Sequence, residues 1–190
     1  CDPRSHFGGI IAFTEELSAE AAAEVREDFA EIVIAPEISP QALEVLKSSK
    51  ALRVLKMRTG KGSYPFELRS VLGGVLAQTM DLSVSAIEKA EVVSKQKPTE
   101  AQKKDLELAW SIALPVKSNA IVLVKDGLLI GVGAGQMSRI DSVEIAISKS
   151  KRHGHDIRGA VAASDAFFPF PDNIEVLAEA GVKAVVAPKG

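Results

Sequence analysis

The sequence predicts an α/β protein, a three-layer αβα fold built on a mixed sheet. Three observations predict it. Short apolar runs such as Ile32–Ala35 and Val182–Ala187 alternate with longer stretches carrying apolar residues at helical spacing. The runs Ala120–Val124 and Leu128–Val132 flank Lys125-Asp126-Gly127, and an Asp-Gly pair in that setting makes a tight hairpin, so at least one strand pair is antiparallel. Finally, 46% hydrophobic and 25% charged residues over 190 positions are the proportions of an ordinary globular protein.

The elements follow in order. Phe7–Phe13 reads as a glycine-containing strand. Ser18 is placed to cap a helix through Ala30, with Glu20 in its first turn favoured by the helix dipole. Ile32–Ala35 is all apolar, as in a sheet covered on both faces. Ser39-Pro40 supplies an N-cap followed by proline at the first helical position, and Ala42, Leu43 and Leu46 give that helix its buried stripe. Leu52–Leu55 is the next strand. The Gly-, Lys- and Thr-rich stretch 59–62 is a loop, and Arg69–Met80 is extended around Gly73-Gly74. Ser94–Pro98 is a solvated connection. Thr99 and Gln102 form a capping box for a helix ending near Ala113, ahead of Pro115. After the hairpin come a helix over Asp141–Arg152, a strand over Gly159–Ala163, a helix over Asn173–Ala180 closed by Gly181, and a last strand over Val182–Ala187.

Composition also excludes functions. A net charge of -2 offers no basic surface for nucleic acid. No apolar run approaches the roughly 20 residues of a membrane span, and no leader peptide is visible, so a cytoplasmic location is expected. The single cysteine, Cys1, excludes an internal disulfide framework and a cysteine-based zinc site.

The most informative segment is Ala163-Ser164-Asp165-Ala166-Phe167-Phe168-Pro169-Phe170-Pro171-Asp172, where three of the seven phenylalanines fall within four positions. It follows a strand and precedes a helix, the place where α/β proteins bind ligands. A small satellite core under a loop is the alternative. With it, in order, stand Asp2-Pro3-Arg4-Ser5-His6-Phe7-Gly8-Gly9, Ile32-Val33-Ile34-Ala35-Pro36, Arg69-Ser70-Val71-Leu72-Gly73-Gly74, Val116-Lys117-Ser118-Asn119-Ala120 and Gly131-Val132-Gly133-Ala134-Gly135-Gln136-Met137-Ser138-Arg139. This series resembles the AICAR transformylase family, the folate-dependent formyltransferase half of a bifunctional enzyme that is also IMP cyclohydrolase.

The resemblance implies two cytidine-deaminase-like lobes in tandem: residues 1–58 as the C-terminal part of the first, 59–97 connecting, and 98–190 as a second lobe truncated at its end. It implies an internal piece of a longer enzyme, a homodimer in the family. The implied reaction is formyl transfer from 10-formyltetrahydrofolate to the 5-amino group of AICAR, the penultimate step of IMP biosynthesis. That aromatic amine is a poor nucleophile, so the reaction needs a base, an oxyanion donor and close alignment of two large substrates. The family's base is a Lys-His pair upstream of the Phe-Gly-Gly motif, and none of the catalytic pair falls in this sequence. Lys117 is the one assisting candidate, with a solvated lysine as its rival reading.

By the same resemblance Gly8, Glu31, Asn119 and Phe167 bind AICAR, while Arg139, Ile140 and Asp172 line the folate pocket. Asn119 has an amide that can donate and accept; it can also be a turn residue at a strand start. Asp172 can also N-cap the following helix. Glu31 stands where relatives carry Asp, and His6 where small residues are usual. His153 and His155 read as a solvated helix end, and no metal is predicted. Gly131–Gly135 fails the dinucleotide pattern at Gln136 and reads as a backbone bare enough for a flat ligand to approach, with Arg139 behind it. The rival function is a non-catalytic nucleotide- or folate-binding module, which differs from the enzyme only in lacking the Lys-His pair.

Overall fold

A computed structural model describes residues 3–4, 6–57, 66–80 and 87–190. Cys1 and the loop expected over 59–62 lie outside the described residues. The chain divides into two compact units, residues 2–78 and 79–190.

The first unit runs β1 (Gly9–Ala12), α1 (Ala19–Glu27), β2 (Ala30–Ala35), α2 (Pro40–Leu46) and β3 (Arg53–Lys56), then β4 (Phe66–Val71) and β5 (Gly74–Thr79). Strands β1, β2 and β3 make a parallel sheet in that order. Ser18 Oγ accepts from Ala21 N at 3.2 Å and Ser39 Oγ from Ala42 N at 3.1 Å, so each helix starts on its expected cap. The register aligns Ile11, Val33 and Val54. Together with Ala35 they pack against Leu17, Ala22, Val25, Ala42 and Leu46.

Three expectations change here. Helix α1 stops at Glu27 rather than Ala30, because Asp28 is extended and Ala30 already pairs with Gly9. Leu43 is 42% exposed; the seven-residue α2 buries Ala42 and Leu46, one helical repeat apart, with Val45 partly buried beside them. Among the described residues the sheet is covered on one face only. Ile10, on the opposite side to Ile11, is 65% exposed, and Leu55 is likewise open. Among the described residues strands β4 and β5 pair only with each other, and they leave Phe66, Leu68, Val75 and Leu76 exposed.

The second unit runs α3 (Glu100–Ala113), β6 (Ile121–Lys125), β7 (Leu128–Gly133), α4 (Arg139–Arg152), β8 (Val161–Ser164), α5 (Asp172–Glu179) and β9 (Ala184–Val186). Its sheet is mixed, with order β7-β6-β8-β9; β6 is antiparallel to both neighbours, and β8 is parallel to β9. Alternation along β6 divides the core. Ile121 and Leu123 meet Val143, Ala146 and Ile147 of α4 and Leu177 of α5. Val122 and Val124 meet Leu106, Ala109 and Ala113 of α3. Each buried Val, Leu or Ile among these contributes about 1.5–3 kcal/mol.

Local chemistry sets the ends of these elements. The Thr99–Gln102 capping box forms in both directions, at 3.2 and 2.9 Å. Asp126 and Gly127 take φ of 52° and 75° in the β6–β7 turn. Their amides donate to the Asp105 carboxylate of α3 at 2.9 and 2.8 Å.

Candidate functional site

Register brings the site together. Ile121 at the start of β6 stands between Gly133 at the end of β7 and Ser164 at the end of β8. Residues just outside that row, Asn119 before β6, Arg139 opening α4 and Asp165 after β8, therefore share one end of the sheet. They touch. Arg139 Nη2 donates to Asn119 Oδ1 at 2.7 Å, and Nη1 donates to Ser164 Oγ at 2.9 Å and to Asp165 Oδ1. Asp165 Oδ1 also accepts from Ala120 N at 2.9 Å. The Arg139 and Asp165 side chains are only 11% and 16% exposed, so this is a largely desolvated ion pair.

Burial pushes the Asp165 carboxyl up. Hydrogen bonds from Ser118, the Ala120 amide and Arg139, with the Arg139 charge, outweigh it and hold the group below its ordinary value. Asp165 is an anion at neutral pH.

Asn119 is oriented as well as placed. Its Nδ2 donates to Gln136 O at 2.9 Å and Met137 O at 3.1 Å. Its main-chain oxygen accepts from Ser142 Oγ at 2.8 Å. With both amide protons spent and one Oδ1 position taken by Arg139, what Asn119 retains for a ligand is acceptor capacity on Oδ1.

The other predicted residues sit as follows. Phe167 is half exposed, two positions beyond Asp165, and the Gly190 backbone lies against its ring. Ile140 is partly buried and packs on the α4 face of the core. Lys117 is exposed; its carbonyl accepts from Gly135 N at 2.8 Å and its stem lies beside Gly135. Asp172 is the first residue of α5 and Pro171 occupies the cap position, so the expected N-cap is displaced by one. Asp172 Oδ1 instead accepts from N and Nδ2 of Asn173, at 2.8 and 2.7 Å. The structure joins Asn119 to Arg139; Phe167 and Asp172 lie on the β8–α5 segment of the same unit, outside that hydrogen-bonded cluster.

In the first unit Gly8 and Glu31 are neighbours. Gly8 has φ of 75°, donates to Phe29 O at 2.6 Å, and a Cβ there would stand 3.4 Å from Glu31 Oε1. His6 pairs with Asp28 at 3.1 Å on the surface. His153 caps the end of α4.

The reading of the glycine-rich segment is corrected at two of its glycines, Gly131 and Gly133 of β7. A Cβ on Gly131 would lie 2.5 Å from Ala146 O, and one on Gly133 would lie 1.9 Å from Ser142 O. Both glycines exist to seat α4 on β7, and that face is filled by helix backbone rather than open to a flat ligand.

Of two cavities among the described residues, one borders this cluster. One of about 260 Å³ is walled by Trp110, Ala113, Leu114, Asp165 and Pro188. The other, about 300 Å³, lies at the starts of α1 and α2, walled by residues such as Glu16, Ser18 and Ser39 and by none of the predicted site residues. Among the described residues no group of three or more His, Cys, Asp or Glu is placed to hold a metal, and no helix is long and apolar enough to cross a membrane.

Ser164 and Asp165 lie within the aromatic segment but match none of the motif positions to which the resemblance gives a role. The available signal was a Ser-Asp pair directly at the end of an apolar strand.

The family model described as "AICARFT/IMPCHase bienzyme" matches residues 1–149. The chain belongs to this family. It is similar to the bifunctional purine biosynthesis protein PurH of Neisseria gonorrhoeae (strain NCCP11945), 46% identical over 190 residues, covering all of this chain and 36% of the relative. It is similar likewise to the PurH of Desulfitobacterium hafniense (strain DSM 10664 / DCB-2), 47% identical over 191 residues with the same coverage. The chain thus spans about a third of the length of these curated relatives. In this AICARFT/IMPCHase chain all of Asn119, Asp165 and the Phe167 segment lie in the length shared with them, while the family model itself takes in Gly8, Glu31, Asn119 and Arg139.

Proposed function

We propose that this chain is the substrate-binding core of a formyltransferase of purine biosynthesis, moving a formyl group from 10-formyltetrahydrofolate to the 5-amino group of AICAR. The observation that carries the reading is Asn119 Oδ1, held by Arg139 at the sheet end in a chain of this family. An amide whose protons are already spent can accept an N–H from the AICAR amine and orient it. In the transfer, the amine nitrogen attacks the formyl carbon, the bond from that carbon to N10 breaks, and the amine proton ends on N10. AICAR is assigned to Gly8, Glu31, Asn119 and Phe167, and the folate to Arg139, Ile140 and Asp172, with Lys117 as an assisting cation. The proton-transfer pair is assigned to residues outside these 190.

The same proposal includes cytidine-deaminase-like lobes of three-layer form; α3 on one face of the second sheet and α4 and α5 on the other support it for the second lobe. It also includes a cytoplasmic location and a homodimer, of which the apolar side chains exposed on β4 and β5 support the self-association.

The test is formyl transfer by the full-length protein containing this segment, with wild type and Asn119→Ala compared. The expected result is turnover by wild type and a loss on the order of 10²-fold in kcat/KM for the variant. A wild type that binds AICAR and transfers nothing would establish the non-catalytic binding module instead.

A further inference from the structure

We propose that Asp165 is a positioning residue for formyl transfer, fixing the Arg139 guanidinium so that Arg139 in turn fixes the Asn119 amide. The inference rests on the function proposed above. Its geometric basis is a relay with one sequence: Ala120 N and Arg139 Nη1 both donate to Asp165 Oδ1, and Arg139 Nη2 donates to Asn119 Oδ1.

A guanidinium is a rigid planar fork, so fixing Nη1 against Asp165 and Ser164 also fixes the direction of Nη2. Nη2 then selects the side of the Asn119 amide from which a ligand N–H can approach. Nδ2 already faces the Gln136 and Met137 carbonyls, so the amide plane is set from both ends. The same Asp165 carboxylate is bound to the backbone of Ala120, the residue after Asn119, so the anchor moves with the group it orients.

Charge matters in this relay, not only hydrogen bonding. At 11% exposure the Arg139 side chain is shielded from solvent, and Asp165 is the carboxylate that balances it. An asparagine at 165 keeps an acceptor oxygen but leaves the cation without its counter-charge. Arg139 then gains by turning towards water or towards any substrate carboxylate, and Asn119 Oδ1 loses its donor.

The test uses the full-length protein and four forms: wild type, Asp165→Asn, Arg139→Gln and the double variant. Removing both charges relieves the uncompensated cation, so the double variant keeps the protein folded should Asp165→Asn alone fail to fold. The readouts are formyl-transfer kcat and KM per folded molecule, with thermal unfolding alongside. The expected result is a loss on the order of 10²-fold in kcat/KM for Asp165→Asn. The double variant is expected within about threefold of Arg139→Gln, because a residue acting through Arg139 has nothing left to act on. Asp165→Asn within twofold of wild type, whatever its melting temperature, overturns the inference and leaves a merely structural ion pair. So does a double variant tenfold or more worse than Arg139→Gln. A wild type that transfers no formyl group overturns the function itself and this inference with it, which separates the two failures.

Discussion

The two units share one strand–helix rhythm and differ in how far each completes a core. In residues 79–190 alternate residues of β6 point into two separate apolar clusters, one under α3 and one under α4 and α5. In residues 2–78 alternate residues of β1 and β3 point to one covered and one open side, and Ile10 on the open side is 65% exposed. Binary pattern alone does not separate these cases, since Ile32-Val33-Ile34 is as apolar as Ile121-Val122-Leu123. What distinguishes them is whether a second layer of side chains is present to fill the other face. A sheet face left bare is a request for a covering surface, because large exposed apolar patches are rare on monomers.

The largest test of this contrast is a matched pair of truncations. Leu123→Ala, at a fully buried position between β6 and α4, is expected to cost about 2–5 kcal/mol in chemical unfolding. Ile10→Ala is expected within about 0.5 kcal/mol of the parent. If Ile10→Ala costs as much as Leu123→Ala in isolated residues 1–190, the open face is covered in solution and the contrast fails.

Gly133→Ala comes next. Its new methyl would meet the Ser142 carbonyl at 1.9 Å, so β7 and α4 must part, at about 1–3 kcal/mol for overpacking. The same change at Gly74, where nothing lies within 4 Å, is expected to be nearly silent. Thermal melts of both variants decide it, and equal losses would mean that helix seating does not control β7.

Acid titration sharpens the comparison further. The Asp165 carboxyl sits below its ordinary 3.8 in the folded protein, so the unfolded chain takes up the proton first. Its stabilising contribution is therefore complete above about pH 4 and is lost as pH falls below 3.8 towards the folded value. Asp165→Asn is expected to flatten the fall in stability below pH 4, measured by urea unfolding at successive pH. An unchanged slope in the variant would place the acid sensitivity elsewhere.

Helix caps give the smallest effect. Both units use the same device, so Ser39→Ala and Thr99→Ala are each expected to cost about 1 kcal/mol. Amide exchange in the first turns of α2 and α3 is the measurement, and a cost confined to one unit would show that capping is not equivalent in the two.

What the sequence made legible follows the range of the interactions. Ser39-Pro40, Thr99 with Gln102, and Asp126-Gly127 each act within four residues, and all three formed where their chemistry predicts. The end of α1 falls three residues short of the expected Ala30 because Ala30 is claimed by Gly9, a partner with no local signature. Asn119 and Arg139 came from motif resemblance. Asp165 did not, since its role exists only once β6 and β8 align Ile121 with Ser164. Likewise Gly131 and Gly133 look like a ligand turn until α4 is laid across them.

That seating has a reach beyond stability. Helix α4 begins at Arg139, six residues after Gly133, and its Ser142 and Ala146 carbonyls rest on the strand at Gly133 and Gly131, where no side chain intervenes. The strand therefore acts as a gauge block for the guanidinium. A methyl group added behind the helix lifts its first turn and draws Arg139 off Asn119 and Asp165 without touching either. Adjustment of this site is possible from the back of a helix, at a position no substrate reaches.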